Sequence, residues 1–116
     1  MTQRTGPRTR IVFIANPNNP TGTWLAPTQI EAFIASVPRD VLVVLDEAYN
    51  EYLAPEKCAP SAAWTRSHPN LVVSRTFSKA YGLAGDRIGW ATGAGELIEV
   101  LNRIRGAFNL SNAGQA

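Results

Sequence analysis

The chain has 116 residues, of which 45% are apolar and 17% charged, and its formal net charge is +2. That length allows one domain with a modest core, and the composition is typical of a soluble protein. The arginines near the start, Arg4, Arg8 and Arg10, give little reason to expect nucleic acid as a partner. We predict an irregular, solvated N-terminal segment over residues 1–10.

A single cysteine, Cys58, and a single histidine, His68, exclude an intrachain disulfide and a metal site built from these two residues. No apolar run reaches the roughly 18 residues that span a bilayer, and no signal-peptide core opens the chain. We therefore expect no metal and no membrane partner, and we expect the protein in the cytoplasm.

The first regular element is predicted over residues 10–15, a nearly continuous apolar run rich in β-branched side chains. Such a run is typical of a strand buried on both faces. Residues 16–22 contain two prolines, three asparagines and a glycine, which predicts a loop. A helix is predicted to begin at Pro27 and to end before Pro38, because apolar residues between them recur at helical spacing.

The second half of the chain continues the alternation of strands and helices. Residues 41–45 predict another buried strand, with Asp46 at its carboxyl end. The proline-containing segment 50–70 predicts a loop with a short helix near residues 59–65. The remaining predicted elements are a strand over 71–75, a turn over 81–85, a strand over 87–92, a helix over 96–105, and a loop or new element over 108–116.

This alternation predicts an α/β fold with a mostly parallel sheet. In such sheets ligands bind beyond the carboxyl ends of the strands. Three polar motifs fall at predicted strand ends, at residues 16–22, 45–49 and 74–90. The third places Lys79 among hydroxyls, glycines and a second cation, an arrangement in which an amine can react with an aldehyde. We therefore expect one shared site.

Together the three motifs resemble those of the pyridoxal-phosphate (PLP) aminotransferases of the aspartate aminotransferase fold, the class I and II family of fold type I PLP enzymes. Residues 103–110, Arg-Ile-Arg-Gly-Ala-Phe-Asn-Leu, are similar to the histidinol-phosphate branch of that family. The resemblance covers nearly the whole chain from about residue 11. It implies that residues 11–116 are a central part of the large PLP-binding domain, without its N-terminal part and without the small domain.

The resemblance also implies roles for individual residues. Lys79 would be the Schiff-base lysine, Asp46 would pair with the pyridine nitrogen of PLP, and Tyr49 and Asn19 would hydrogen-bond the ring 3-oxygen. The residues that would hold the phosphate are Thr76, Ser78 and Arg87. Glu47, next to Asp46, should point to the other side of the strand and serve the structure.

The function implied by the resemblance is a transaminase acting on L-histidinol phosphate and 2-oxoglutarate, in a homodimer. A PLP-dependent decarboxylase of a phosphorylated amino acid would carry the same core motifs, so it remains an alternative. A non-catalytic fragment is a further alternative, for which we expect weak PLP binding and poor turnover. A nucleotide-binding module is disfavoured, because residues 82–85 lack both glycine-rich phosphate-binding patterns.

Overall fold

A computed structural model describes residues 5–115, which contain a four-stranded sheet. The strands are β1 Ile11–Ala15, β2 Leu42–Asp46, β3 Leu71–Thr76 and β4 Gly89–Gly93. They lie in the order β1-β2-β3-β4, with β1, β2 and β3 parallel and β4 antiparallel to β3. The predicted α/β fold with a mostly parallel sheet is confirmed.

The three predicted helices are present to within a few residues, and a fourth lies in the segment 108–116, for which a loop or a new element was expected. They are α1 Pro27–Ser36, α2 Ser61–Trp64, α3 Gly95–Ile104 and α4 Asn112–Gln115. Residues 5–10 of the predicted N-terminal segment contain neither helix nor strand. The rest of that segment, residues 1–4 with Arg4 among them, lies outside the described residues, as does Ala116.

The core lies between one face of the sheet and the first two helices. Parallel neighbours point to the same face, so Ile14 of β1 lies beside Leu45 of β2, which lies beside Val73 of β3. Ile30 and Ile34 of α1 pack against this face and are each 1% exposed. The full set of buried core residues is Ile14, Ile30, Ile34, Val37, Val41, Val43, Leu45, Trp64, Leu71 and Val73.

The opposite face of β1 is open, which makes the prediction of a strand buried on both faces wrong. Phe13 is 73% exposed and Ile11 is 49% exposed. The helix on that side, α3, packs near β4 instead, where Ile98 lies close to Gly93. Within residues 5–115, no helix covers the Phe13 side of β1, so its apolar side chains meet solvent.

The pairing of β3 with β4 depends on the absence of a side chain at Gly89. A β-carbon there would lie 2.6 Å from the carbonyl oxygen of Arg75, inside van der Waals contact with the neighbouring strand. A β-carbon added at Gly95, at the start of α3, would meet no atom within 4 Å. The two glycines therefore provide a matched pair for substitution.

We expect Gly89→Ala to lower the free energy of unfolding by about 1–3 kcal/mol, the usual cost of forcing extra volume into a packed site. Gly95→Ala should leave that free energy unchanged or raise it by up to about 1 kcal/mol, because alanine is favoured over glycine in helices. Urea unfolding followed by circular dichroism measures both. Equal effects of the two substitutions would contradict the close approach of β4 to β3.

Candidate active site

The carboxyl ends of the three parallel strands meet at one edge of the sheet. The register places Ala15, Asp46 and Ser74 side by side. The backbone continues this alignment, because the Asn16 N–H donates to the Asp46 carbonyl at 3.0 Å and the Glu47 N–H donates to the Ser74 carbonyl at 3.0 Å. All three predicted motifs therefore begin at the same edge of the sheet.

A cavity of about 290 Å³ lies at this edge. Four of the seven predicted site residues line it, namely Asn19, Asp46, Tyr49 and Lys79. The rest of its wall is formed by three residues that the sequence did not single out, Ala15, Pro17 and Ala48. Their small or rigid side chains leave room between the four polar ones, and composition alone carries no signal for that role.

Asp46 ends β2 with an exposed side chain on the face opposite the core. Its Oδ1 accepts a hydrogen bond from the Ala48 N–H at 3.1 Å. Within residues 5–115, Oδ2 has no hydrogen-bond partner. The carboxylate is thus held by the backbone that follows it, and one of its oxygens is available to a cationic N–H donor.

Asn19, Tyr49 and Lys79 form a contiguous polar group at the cavity. The Asn19 Nδ2 donates to the Tyr49 hydroxyl at 2.9 Å, across 30 positions of sequence. The Lys79 Nζ lies 5.4 Å from the centroid of the Tyr49 ring, within the range of a cation–π interaction. An amide, a phenol and an amine from three different loops therefore face one space.

The loop that carries Asn19 is held by its own side chains. The buried Asn16 accepts the Leu25 N–H at 2.8 Å and donates to the Leu25 carbonyl at 3.2 Å. At the loop's far end, Gly22 has φ +66°, a left-handed conformation that favours glycine, and its N–H donates to the Asn18 carbonyl. The Asn16–Pro17 and Asn19–Pro20 peptide bonds are cis.

The three residues predicted to hold a phosphate lie outside the wall of the cavity. Thr76 and Ser78 are joined, because the Ser78 N–H donates to the Thr76 Oγ1 at 3.0 Å. Arg87 is not brought to them: its exposed side chain donates to the Ala84 carbonyl at 2.9 Å. Only its backbone is near, since the next residue, Ile88, accepts the Phe77 N–H.

An ion pair between a buried carboxylate and a half-buried guanidinium lies on the other face of the sheet from Asp46. Glu47 is 2% exposed, and its Oε2 accepts hydrogen bonds from the Ser61 hydroxyl at 2.8 Å and from the Arg75 Nε at 2.9 Å. The Arg75 Nη2 lies 2.8 Å from the same oxygen. The prediction that Glu47 points away from Asp46 is confirmed.

The partnership of Arg75 with Glu47 was not predicted from the sequence. A signal was present, because Arg75 is the one charged residue in the strand-like run 71–75. A charge at such a position requires a buried counter-charge, and acidic residues close to the end of the neighbouring strand are the natural source.

Burial raises the pKa of Glu47 above its ordinary value of 4.5, and the nearby Glu51 charge acts in the same direction. Hydrogen bonds from Ser61 and Arg75, together with the Arg75 charge, lower the pKa but do not offset the burial. The folded state therefore binds the Glu47 proton more tightly than the unfolded state does.

The sign of this shift gives a pH prediction. The contribution of Glu47 to stability should be largest below pH 4.5 and should fall as the pH rises toward the raised pKa. We expect the free energy of unfolding of the wild type, minus that of Glu47→Gln, to decrease over this interval. Because Arg75 and Glu51 are present in both proteins, the difference between the two free energies reports on the Glu47 side chain. Urea titrations at several pH values measure the difference, and an increase with pH would contradict the assignment.

Within residues 5–115, no three His, Cys, Asp or Glu side chains are grouped so that they could hold a metal ion. The same residues contain no helix with the length and apolar character needed to cross a membrane.

Comparison with known proteins establishes the family. The profile of the family described as Aminotransferase class I and II matches residues 2–116, and the chain belongs to that family. The particular similarity is to histidinol-phosphate aminotransferases. That of Erythrobacter litoralis is 59% identical over 109 residues, which cover 94% of this chain and 30% of the relative. Histidinol-phosphate aminotransferase 1 of Cupriavidus pinatubonensis is 61% identical, covering 93% and 29%.

Solved structures give the same fold. The crystal structure of histidinol-phosphate aminotransferase from Sinorhizobium meliloti in complex with pyridoxal-5'-phosphate has a TM-score of 0.80 and 39% identity, and the match covers 90% of this chain and 28% of that one. L-threonine-O-3-phosphate decarboxylase from Porphyromonas gingivalis has a TM-score of 0.81 and 26% identity, covering 90% and 31%. The chain thus spans less than a third of the length of these relatives.

Proposed function

We propose that this chain carries the PLP site of a transaminase that moves an amino group between L-histidinol phosphate and 2-oxoglutarate, giving imidazole acetol phosphate and L-glutamate. The observation that carries the proposal is the meeting of Asn19, Asp46, Tyr49 and Lys79 at one cavity beyond three parallel strands. The choice of substrates is supported by the identity of about 60% to relatives named histidinol-phosphate aminotransferases.

The polar groups at the cavity fit the functional groups of PLP. The free oxygen of Asp46 suits a protonated pyridine nitrogen, and the Asn19–Tyr49 pair suits the ring 3-oxygen. The Lys79 amine suits the aldehyde. The backbone-held carboxylate and the amide–phenol pair are positioned without a ligand, which is the pre-organisation that cofactor binding needs.

Bound PLP would supply an electron sink for a substrate carbanion. Lys79 would first hold the aldehyde and, once displaced by the amino donor, would carry a proton to and from the substrate α-carbon at its Nζ. Asp46 would keep the ring nitrogen cationic. Tyr49 and Asn19 would bind the negative charge on the ring oxygen, which fixes the orientation of the cofactor.

The phosphate is assigned to Thr76, Ser78 and Arg87. The first two are already joined in one turn, two residues apart. Arg87 would have to exchange its contact with the Ala84 carbonyl for one with the phosphate, and its exposed side chain makes that exchange inexpensive. A guanidinium fork then binds two phosphate oxygens at once.

The proposal also covers the domain, the oligomeric state and the compartment in which the site lies. Residues 11–116 are proposed to form part of a larger PLP-binding domain, because the chain spans about 30% of its relatives. A homodimer in the cytoplasm is proposed from the family resemblance and from the single cysteine, which is compatible with a reducing compartment.

The test is an assay of the purified chain with PLP and two substrate pairs. Glutamate formation from L-histidinol phosphate and 2-oxoglutarate is followed over hours, because slow turnover is expected of this chain. Carbon dioxide release from O-phospho-L-threonine is followed in parallel. Lys79→Ala is the matched negative control in both assays.

Glutamate formation that requires Lys79 would support the proposal. Carbon dioxide release that requires Lys79, without glutamate, would replace it with a decarboxylase. If neither product forms above the Lys79→Ala background, the chain is a non-catalytic piece and the proposed activity fails for it.

A further inference from the structure

We propose that the partly buried Glu47–Arg75 ion pair is a positioning device for the cofactor site, holding the end of β2 that carries Asp46 in register with the end of β3 that leads to Lys79. The inference rests on the proposed function, in that Asp46 and Lys79 are taken to contact PLP. Neither Glu47 nor Arg75 lines the cavity, so any effect on the cofactor would pass through other residues.

Asp46 and Glu47 are adjacent in sequence but point to opposite faces of the sheet. Asp46 lies on the cavity side of the sheet, while Glu47, the next residue, turns to the core side and is 2% exposed. A displacement of the Glu47 side chain therefore moves the backbone on which Asp46 stands. The Glu47 N–H donates to the Ser74 carbonyl at 3.0 Å, which joins these two strand ends directly.

The geometry of the ion pair favours a directional role. Arg75 holds one oxygen of Glu47 with both Nε and Nη2, at 2.9 and 2.8 Å. Two contacts from one planar guanidinium fix direction as well as distance. Arg75 lies four residues before Lys79, so the cation is anchored on the strand that delivers the lysine.

The pair is itself held by two further elements, α2 and β4. The Ser61 hydroxyl of α2 donates to the same Glu47 oxygen at 2.8 Å. The Arg75 guanidinium carbon lies 5.4 Å from the centroid of the Trp90 ring on β4. A weaker contact joins the Arg75 Nη1 to Glu51 at 3.6 Å. The pair thus links the ends of β2 and β3 to α2, through Glu47, and to β4, through Arg75, behind the cavity.

Such a network is expected to contribute more to orientation than to stability. Burying two charges costs nearly as much as their attraction returns, so a buried pair is weak evidence for stability. Its directional contacts nevertheless specify one arrangement of the elements that it joins.

The test uses the chain with PLP and four variants. Glu47→Gln removes the charge and keeps the shape, and Arg75→Lys keeps the charge and removes the fork. Glu51→Gln makes the same chemical change as the first variant at the outer partner of Arg75. Val43→Ala destabilises the same sheet without touching the network, and so controls for a purely structural effect.

We expect Glu47→Gln and Arg75→Lys to weaken PLP affinity by about tenfold or more, as is usual for groups that orient ligand-binding residues. The affinities of Glu51→Gln and Val43→Ala should stay within about twofold of the wild type. The measurement is a PLP titration by absorbance, under conditions where circular dichroism shows each protein folded. Wild-type affinity in both network variants, or an equal loss in Val43→Ala, would overturn the inference.

Amide hydrogen exchange gives a readout that does not need PLP. Both network variants should exchange faster at the strand ends, in peptides over residues 44–50 and 73–80, and not in β1. Glu51→Gln should match the wild type. If the wild type binds no PLP, the proposed function fails and this exchange pattern alone decides the inference; unchanged exchange in both network variants would then overturn it.

Discussion

Replacement of Lys79 by alanine is expected to remove covalently held PLP from the chain. The chain contains two lysines, Lys57 and Lys79, and only Lys79 lines the candidate cavity. After removal of free cofactor, the wild type should retain PLP absorbance and Lys79→Ala should retain none. Glutamate formation should fall by about 10²- to 10⁴-fold, the contribution of a positioned acid–base group.

Lys57→Ala is the matched control for this prediction. Lys57 is exposed, in a short helical turn over Pro55–Lys57, and its amine lies 5.8 Å from the Trp24 ring centroid. Its loss removes the same functional group from the same chain, so PLP absorbance and glutamate formation should remain those of the wild type. A Lys57→Ala protein that loses its PLP would contradict the assignment.

The second large effect is expected of Asp46→Asn. The substitution keeps the size of the side chain and the contact with the Ala48 N–H, but it removes the negative charge. A neutral amide does not hold the pyridine nitrogen protonated, so the ring becomes a weaker electron sink. We expect glutamate formation to fall by about 10²-fold or more, the usual cost of losing one group that stabilises developing charge.

Asp40→Asn controls for the loss of a carboxylate elsewhere in the chain. Asp40 is exposed before the start of β2, while Asp46 is at its end. The control should react at the wild-type rate. Equal rates for Asp46→Asn and the wild type, with PLP bound in both, would show that Asp46 does not face the pyridine nitrogen.

Much of the fold could be predicted because local signals were strong and consistent. Pro27 and Pro38 bracket α1, and β-branched runs mark β1, β2 and β3. The exposure of Phe13 could not be predicted in this way. An apolar run indicates a strand suited to burial, but whether a second layer covers it depends on the placement of distant elements.

The candidate site was predictable to a similar extent and for a related reason. In a parallel sheet the carboxyl ends of the strands share an edge, so motifs at those ends converge whatever the details of the loops. This convergence at the strand ends applies to Asn19, Asp46 and Lys79, which line one cavity. It does not apply to Arg87, whose side-chain direction is set by a turn beyond the strand.

The pairing of Glu47 with Arg75 was not predicted from the sequence. Each residue alone is compatible with a solvated surface charge, and 28 positions separate them. Only the parallel register, which places Asp46 beside Ser74, brings the two charges together. The structure thus pairs two charges for which the sequence held one local signal, the lone charge of Arg75 in its strand-like run.

The most direct test of the proposed site is to locate the bound cofactor chemically. The wild-type chain is incubated with excess PLP, reduced with borohydride and analysed by mass spectrometry of the intact protein and its peptides. Reduction also traps weak binding, which is what we expect of this chain. We predict one added PLP per chain, on Lys79. Comparable labelling of Lys57 and Lys79, or labelling of the N-terminal amine alone, would mean that these residues do not form a PLP site.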